Sequence, residues 1–486
     1  MSTNEIKKLA KHNDWLETHS FENCKLNRSD YGRFLLNFII EEKDGFVLNI
    51  DSSWGSGKTE FLKRLYTESY QLDHPAVYID AWESDFSKDP LSVVAFELLS
   101  QIEKLMESPV NGDKSDYFEK LKTTISEYKQ SIGIFAGVVT SLTGLSYSAG
   151  KDFVGAITDN PPEMIEERLE ELSSNYKRQT EALSEIKSTL SVIADLLEII
   201  YGMKVPFIVL VDELDRCRPT YAIEMLEVVK HFFDTEKMVF IIATDTKQLS
   251  SSIQAIYGQK FDGQMYLKRF FDRTALLPAA DFEAYLSQKD INLSKYQEIA
   301  IFPSDSRAFS VTKILSIICE VYKIEARDLD QILAQMEACL RQINAISTRP
   351  NLIRINLIVL FASIIEKHKN IARFDERTNQ ISKDLNTKEC ETIEIEDEFS
   401  SNHLINYSFQ SILTVQHSEE AYFNDRNTTY IGPQEFDFLK HQYSSQSSNK
   451  ERYIHSEIRN MLMNPEGTIW NWEQYKQCIE LAGYIS

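Results

Sequence analysis

One run of residues, Ile50-Asp-Ser-Ser-Trp-Gly-Ser-Gly-Lys-Thr59, constrains this chain more than any other. It follows an apolar stretch, Gly45-Phe-Val-Leu-Asn-Ile50, that reads as a strand, and it precedes Glu60-Phe-Leu-Lys-Arg-Leu-Tyr66, which reads as a helix. Strand, glycine-rich loop and helix in that order make a phosphate-binding loop. The backbone N–H groups of Gly55, Ser56, Gly57, Lys58 and Thr59 can wrap an anion, helped by the positive end of the helix. Lys58 is placed for the β/γ-phosphates of a nucleoside triphosphate, and the Thr59 hydroxyl for Mg²⁺. The full pattern has glycine where this chain has Ser52, a change tolerated only if the backbone there avoids positive φ.

Such a loop needs an acidic partner, and Val205-Pro-Phe-Ile-Val-Leu-Val-Asp-Glu-Leu-Asp-Arg-Cys217 supplies one. The apolar run Phe207 to Val211 predicts a buried parallel strand. Asp212 and Glu213 then fall at its C-terminal edge, where open α/β sheets bind ligands. Asp212 is the expected metal carboxylate and Glu213 the group that polarises an attacking water. A third strand, Met238 to Ala243, ends in Thr244-Asp245. Asp245 either senses the γ-phosphate or caps the helix that follows.

The chain has 486 residues, enough for two or three domains, with 43% hydrophobic and 26% charged residues, as expected of a globular protein. Its net charge of −22 argues against a general duplex-binding surface. Six scattered cysteines (Cys24, Cys217, Cys319, Cys339, Cys390, Cys478) lack metal-ligand spacing and read as free thiols. With no apolar signal segment at the N-terminus, the expected location is cytoplasmic.

About 150 residues separate the two nucleotide motifs, far more than one strand-to-helix step needs. Within them, 91–130 reads as helix and 131–150 carries no charge. From 163 to 201 an apolar seam runs through Ile165, Leu169, Leu172, Tyr176, Leu183, Ile186, Leu190, Ile193, Leu197 and Ile200, with Gln179 in the gap. That seam fits a coiled coil between chains or, the favoured reading, packing on the chain's own helix 91–130. The uncharged stretch matches a bilayer span in length, but its small and hydroxylated residues insert poorly, so membrane association is not favoured.

Taken together these residues resemble the KAP family of P-loop NTPases. The carrying motifs are Trp54 to Thr59, Val77-Tyr-Ile-Asp-Ala-Trp82, Asp212 to Cys217, Tyr266-Leu-Lys-Arg-Phe-Phe271 with Leu277-Pro278, and Thr348-Arg-Pro-Asn-Leu-Ile-Arg-Ile-Asn356. Many members have Asp where this chain has Glu213. The resemblance implies an ASCE-type α/β fold, a parallel sheet with a long helical insertion and a helical C-terminal region. The implied segments are 1–90 and 204–280 for the NTPase core, 91–203 for the insertion, 281–370 for a helical lid, and 371–486 without an assigned role. It also implies ATP with Mg²⁺, contacts from Trp54 and Glu60 beside the loop, and a charge-stabilising arginine. Arg269 is the first choice for that arginine, then Arg273, with Arg354 and Arg349 acting from the lid; Arg216 and Arg218 are read as neutralising the acids. Partners implied are other proteins of a phage-defence or signalling system, and copies of the chain itself. A non-hydrolysing switch and a P-loop small-molecule kinase are the alternatives.

Overall fold

The computed structural model describes residues 7–42, 44–87, 90–107, 114–143, 162–232, 235–289, 291–306, 309–348, 352–379, 391–396, 399–413, 448–463 and 467–484; for 135–143, 162–176, 179–180 and 231 the backbone alone is described. The chain divides into two compact units: Met1–Cys24 with Arg28–Ala279, and Lys25–Asn27 with Ala280–Ser486.

The first unit is built on five strands: β1 (Phe46–Asp51), β2 (Ala76–Asp80), β3 (Phe207–Asp212), β4 (Met238–Thr244) and β5 (Arg273–Leu276). Their order is β2-β3-β4-β1-β5, with every neighbouring pair parallel. β3 and β4 are buried along their whole length, which is why both are nearly pure runs of β-branched and apolar residues. Parallel strands put all their C-terminal ends on one edge. Asp51, Asp80, Asp212 and Thr244 therefore share that edge, in the registers Asp51↔Thr244 and Asp80↔Asp212.

The insertion belongs to the same unit. Helix Pro90–Leu105 buries Leu91, Val94, Leu98 and Ile102, and helices Ser115–Thr143 and Pro162–Tyr201 lie against each other. Two contacts fix their antiparallel sense: Lys114 Nζ to the Ile200 carbonyl at 2.9 Å, and Ser131 Oγ to Glu185 Oε2 at 2.8 Å. Ile186, Leu190, Ile193 and Leu197 of the seam join one core with Leu121, Ile125 and Tyr128. Each such burial is worth about 2 kcal/mol. This half of the seam pairs within the chain, on helix Ser115–Thr143; Ile165, Leu169, Leu172, Tyr176 and Gln179 lie outside the described side chains. Among the described residues no helix is long and apolar enough to cross a membrane, and 144–150 of the uncharged stretch lies outside them.

The second unit is mostly helical, and it contains a small parallel sheet in which Ile353–Asn356 lies between Ile299–Phe302 and Thr468–Ile469. The segment Leu352–Phe361, read from sequence as helix, is thus split. Ile353 and Ile355 alternate as a strand, and the Asn356 side chain then accepts the N–H groups of Ile358 (3.0 Å) and Val359 (3.3 Å) to start helix Leu357–His368. Residues on both sides of position 370 share this unit's core: Trp472 and Tyr475 are fully buried with Phe361 and Ile365. Trp470, Trp472 and Tyr475 are core residues, whereas Tyr484 is exposed.

Candidate nucleotide-binding site

The loop between β1 and helix Lys58–Gln71 has Gly55 and Gly57 at φ of 84° and 91°, a backbone that favours glycine. Ser52 is not among the residues at positive φ; its N–H extends the sheet to the Thr244 carbonyl at 3.1 Å. The departure from the glycine pattern therefore costs no backbone strain. Two further contacts fix the loop from outside. Asp245 Oδ2 accepts the Trp54 N–H at 3.1 Å, and the buried Arg28 guanidinium donates to the Ser56 carbonyl at 2.8 Å. Buried Ser56 Oγ finds no hydrogen-bond partner among the described residues. A buried polar atom left unsatisfied inside an anion-binding loop is what a phosphate oxygen would complete.

The acids face this loop. Thr59 Oγ1 donates to Glu213 Oε1 at 3.1 Å. Lys58, buried, donates to the Ser52 (2.9 Å) and Ser53 (3.3 Å) carbonyls and reaches Asp215 Oδ2 at 3.3 Å. Asp212 is 1% exposed and accepts the Glu213 N–H on Oδ1 and the Tyr78 hydroxyl on Oδ2, both at 2.8 Å, with the Thr59 hydroxyl also facing its carboxylate. Among the described residues it has no cationic side-chain partner in an ion pair. Burial raises its pKa, against the pull of the hydrogen bonds from Thr59, Tyr78 and Glu213 N. Burial also raises Glu213, followed by the neighbouring Asp212 charge, while Arg216 acts the other way. Two acids crowded at one strand end, both disfavoured as anions, make a site that an added cation would relieve.

An NTPase loop and an acid pair thus converge across one intervening strand. The chain belongs to the KAP family of P-loop domains. The family match covers residues 28–349, two thirds of the sequence, and makes this a domain of the nucleotide-binding P-loop NTPase class. Over 314 residues the chain is 23% identical to the phage T7 exclusion protein of Escherichia coli (strain K12); the alignment takes in 60% of this chain and 37% of that relative. The chain therefore spans little more than a third of the relative it matches.

The other expected site residues are placed less uniformly. Glu60 is half-exposed and its carboxylate is taken by Arg64 at 3.0 Å. Asp245, 7% exposed, caps helix Thr246–Tyr257 through the Gln248 N–H besides holding Trp54. Arg269 is exposed in the turn leading to the N-terminal end of β5. Arg273 pairs in register with Leu48, about 10 Å along the strand from Asp51. Both thus lie toward the sheet edge opposite the loop, and the structure does not bring either to Lys58. Arg354 belongs to the second unit, where its buried guanidinium donates to the carbonyls of Met461 and Gly467. There it holds that unit's backbone. Arg349 lies outside the described residues. Arg218 is exposed and pairs with Asp85.

Sequence reasoning assigned no contact to Asp215, Tyr78 or Arg28, and it gave Arg216 only a neutralising part. Arg216 does pair with Glu213, and its guanidinium lies 5.8 Å from the ring centroids of both Trp54 and Trp82, themselves more than half exposed. Beside Thr59 opens a cavity of about 750 Å³ whose walls include Trp15, Tyr78, Asp80, Phe86 and Phe96. His12, also on its wall, is stacked on Trp15 at 4.0 Å, and burial lowers its pKa to about 4, so it is neutral near pH 7.

Proposed function

We propose that this chain is a magnesium-dependent nucleoside triphosphatase, acting on ATP, whose cycle assembles or gates partner proteins. The observation that carries the reading is the facing of loop and acids, with Thr59 Oγ1 and Glu213 Oε1 at 3.1 Å. The donors available, one hydroxyl and carboxylates, suit a hard divalent cation that keeps several waters and binds phosphate oxygens. Among the described residues no cluster of three or more His, Cys, Asp and Glu competes for that role. Thr59 and Asp212 would hold Mg²⁺, which when bound supplies charge neutralisation at the phosphate oxygens.

The chain's own groups account for the rest. The N–H groups of Gly55 to Thr59 bind the phosphates, and Lys58 exchanges Asp215 for β/γ-oxygens. Glu213 releases Thr59, orients a water and takes its proton as that oxygen bonds to the γ-phosphorus and the bond to the bridging oxygen breaks. Asp245 carries the sensor role through its hold on the Trp54 N–H. An arginine from outside this protomer's own sheet edge completes the site, with Arg269 of a second copy as the donor. The likeness to an exclusion protein supports a place in a defence system against phage, alongside other proteins.

The cavity beside Thr59 favours one second reading, transfer of the γ-phosphoryl group to a bound small molecule instead of water. Phosphate release from ATP with Mg²⁺, wild type beside Glu213→Gln, separates the cases. Release that falls about 10²–10⁴-fold in the variant while nucleotide still binds supports the hydrolase. Equal release by the variant removes Glu213 from its role, and nucleotide bound without release in the wild type points to a switch or to a missing acceptor.

A further inference from the structure

We propose that Tyr78 is a positioning residue for the metal carboxylate Asp212, an inference that rests on the nucleotidase reading above. β2 and β3 run parallel with Tyr78 opposite Leu210 and Asp80 opposite Asp212. Side chains alternate along a strand, so Tyr78 and Asp80 share a face, as do Leu210 and Asp212. Tyr78 is therefore the diagonal neighbour of Asp212, within reach of a long side chain. Its hydroxyl meets Oδ2 at 2.8 Å while the Glu213 N–H meets Oδ1 at the same distance. Together the two donors fix the carboxylate plane and leave acceptor capacity on the side of the Thr59 hydroxyl for a cation or its water shell.

The tyrosine ring is itself pinned. Trp15 and His12 meet it edge-on with centroids 4.9 and 5.6 Å away, and the residue is 7% exposed. Its own strand is tied down by Gln101, which accepts the Tyr78 N–H and donates to the Tyr78 carbonyl. A hydroxyl held by a packed ring is a preorganised donor to a metal-ligating carboxylate. Loss of such outer contacts typically weakens metal binding about 10- to 100-fold.

The test is uptake of Mn²⁺, read by loss of the free-ion EPR signal, with full-length protein and a non-hydrolysable ATP analogue. Tyr78→Phe should weaken Mn²⁺ binding about 10-fold and leave metal-free affinity for the analogue unchanged. Tyr128→Phe, which removes another buried hydroxyl of this unit, bonded to the Ala95 carbonyl at 3.2 Å, should bind like the wild type. Adding Tyr78→Phe to Asp212→Asn should cost nothing further, because the hydroxyl acts through that carboxylate. Wild-type affinity in Tyr78→Phe, or an equal loss in Tyr128→Phe, overturns the assignment. A wild type that binds the analogue but takes up no Mn²⁺ refutes the metal-dependent reading, and the assignment with it.

Discussion

Asp212 in the first unit and Glu366 in the second are 1% and 0% exposed, yet their surroundings differ in kind. Glu366 is saturated: Arg373 Nε lies at 2.6 Å, Arg377 donates at 2.8 and 3.2 Å, and the Tyr322 hydroxyl adds a bond at 2.8 Å. Arg377 in turn stacks on Phe409 and Trp472, 3.7 and 4.6 Å from their centroids. Asp212 receives neutral donors and, among the described residues, no cationic side chain in an ion pair. A buried acid that the chain neutralises by itself serves the fold. One that the chain leaves short of positive charge waits for a charge from outside.

Breaking the two acids should therefore do opposite things. Glu366→Ala strands two buried guanidinium groups, and the second unit should lose about 3–5 kcal/mol in urea unfolding. A pure packing defect gives a benchmark: Leu190→Ala in the helical hairpin should cost about 2–4 kcal/mol without changing oligomer mass, because that part of the seam pairs inside the chain. Asp212→Asn should shift stability by no more than about 1 kcal/mol, in the stabilising direction, though metal-dependent turnover is lost. The sign follows from its raised pKa: the folded state disfavours the ionised form, so the wild type gives up stability above the folded pKa. The advantage of the variant should therefore shrink as pH falls through that value. An Asp212→Asn protein destabilised as much as Glu366→Ala would erase the distinction.

A smaller effect is expected in the pH profile. Glu213 must be ionised to take a proton, and burial raises it, so the acid limb of kcat/KM should lie above the ordinary value of 4.5. Replacing Arg216, which opposes that rise, should move the limb further up; a limb at or below 4.5 would argue against Glu213 as the base.

What was legible in the sequence was local. Gly55 to Thr59 and Asp212-Glu213 each sit where a buried strand ends, so their placement followed from short-range pattern alone. Arg269 could not be placed that way: its distance from Lys58 depends on β5 running parallel to β1 with Arg273 beside Leu48. Tyr78 was invisible for the same reason, since only the strand order makes it a neighbour of Asp212. The strand carrying Arg354 was hidden because Leu352–Phe361 is apolar at either period, and the cap at Asn356 decides where strand becomes helix. Asp215 reaches Lys58 from a single turn of 3₁₀ helix, Leu214–Arg216, that no periodicity announces.

The most direct test of the central claim, that the acid-bearing edge is a metal–nucleotide site, is calorimetric titration with a non-hydrolysable ATP analogue in Mg²⁺ and in EDTA. Affinity should fall at least about 10-fold without the metal in the wild type, and Asp212→Asn should match the metal-free wild type under both conditions. Equal affinity with and without Mg²⁺ in the wild type would contradict it.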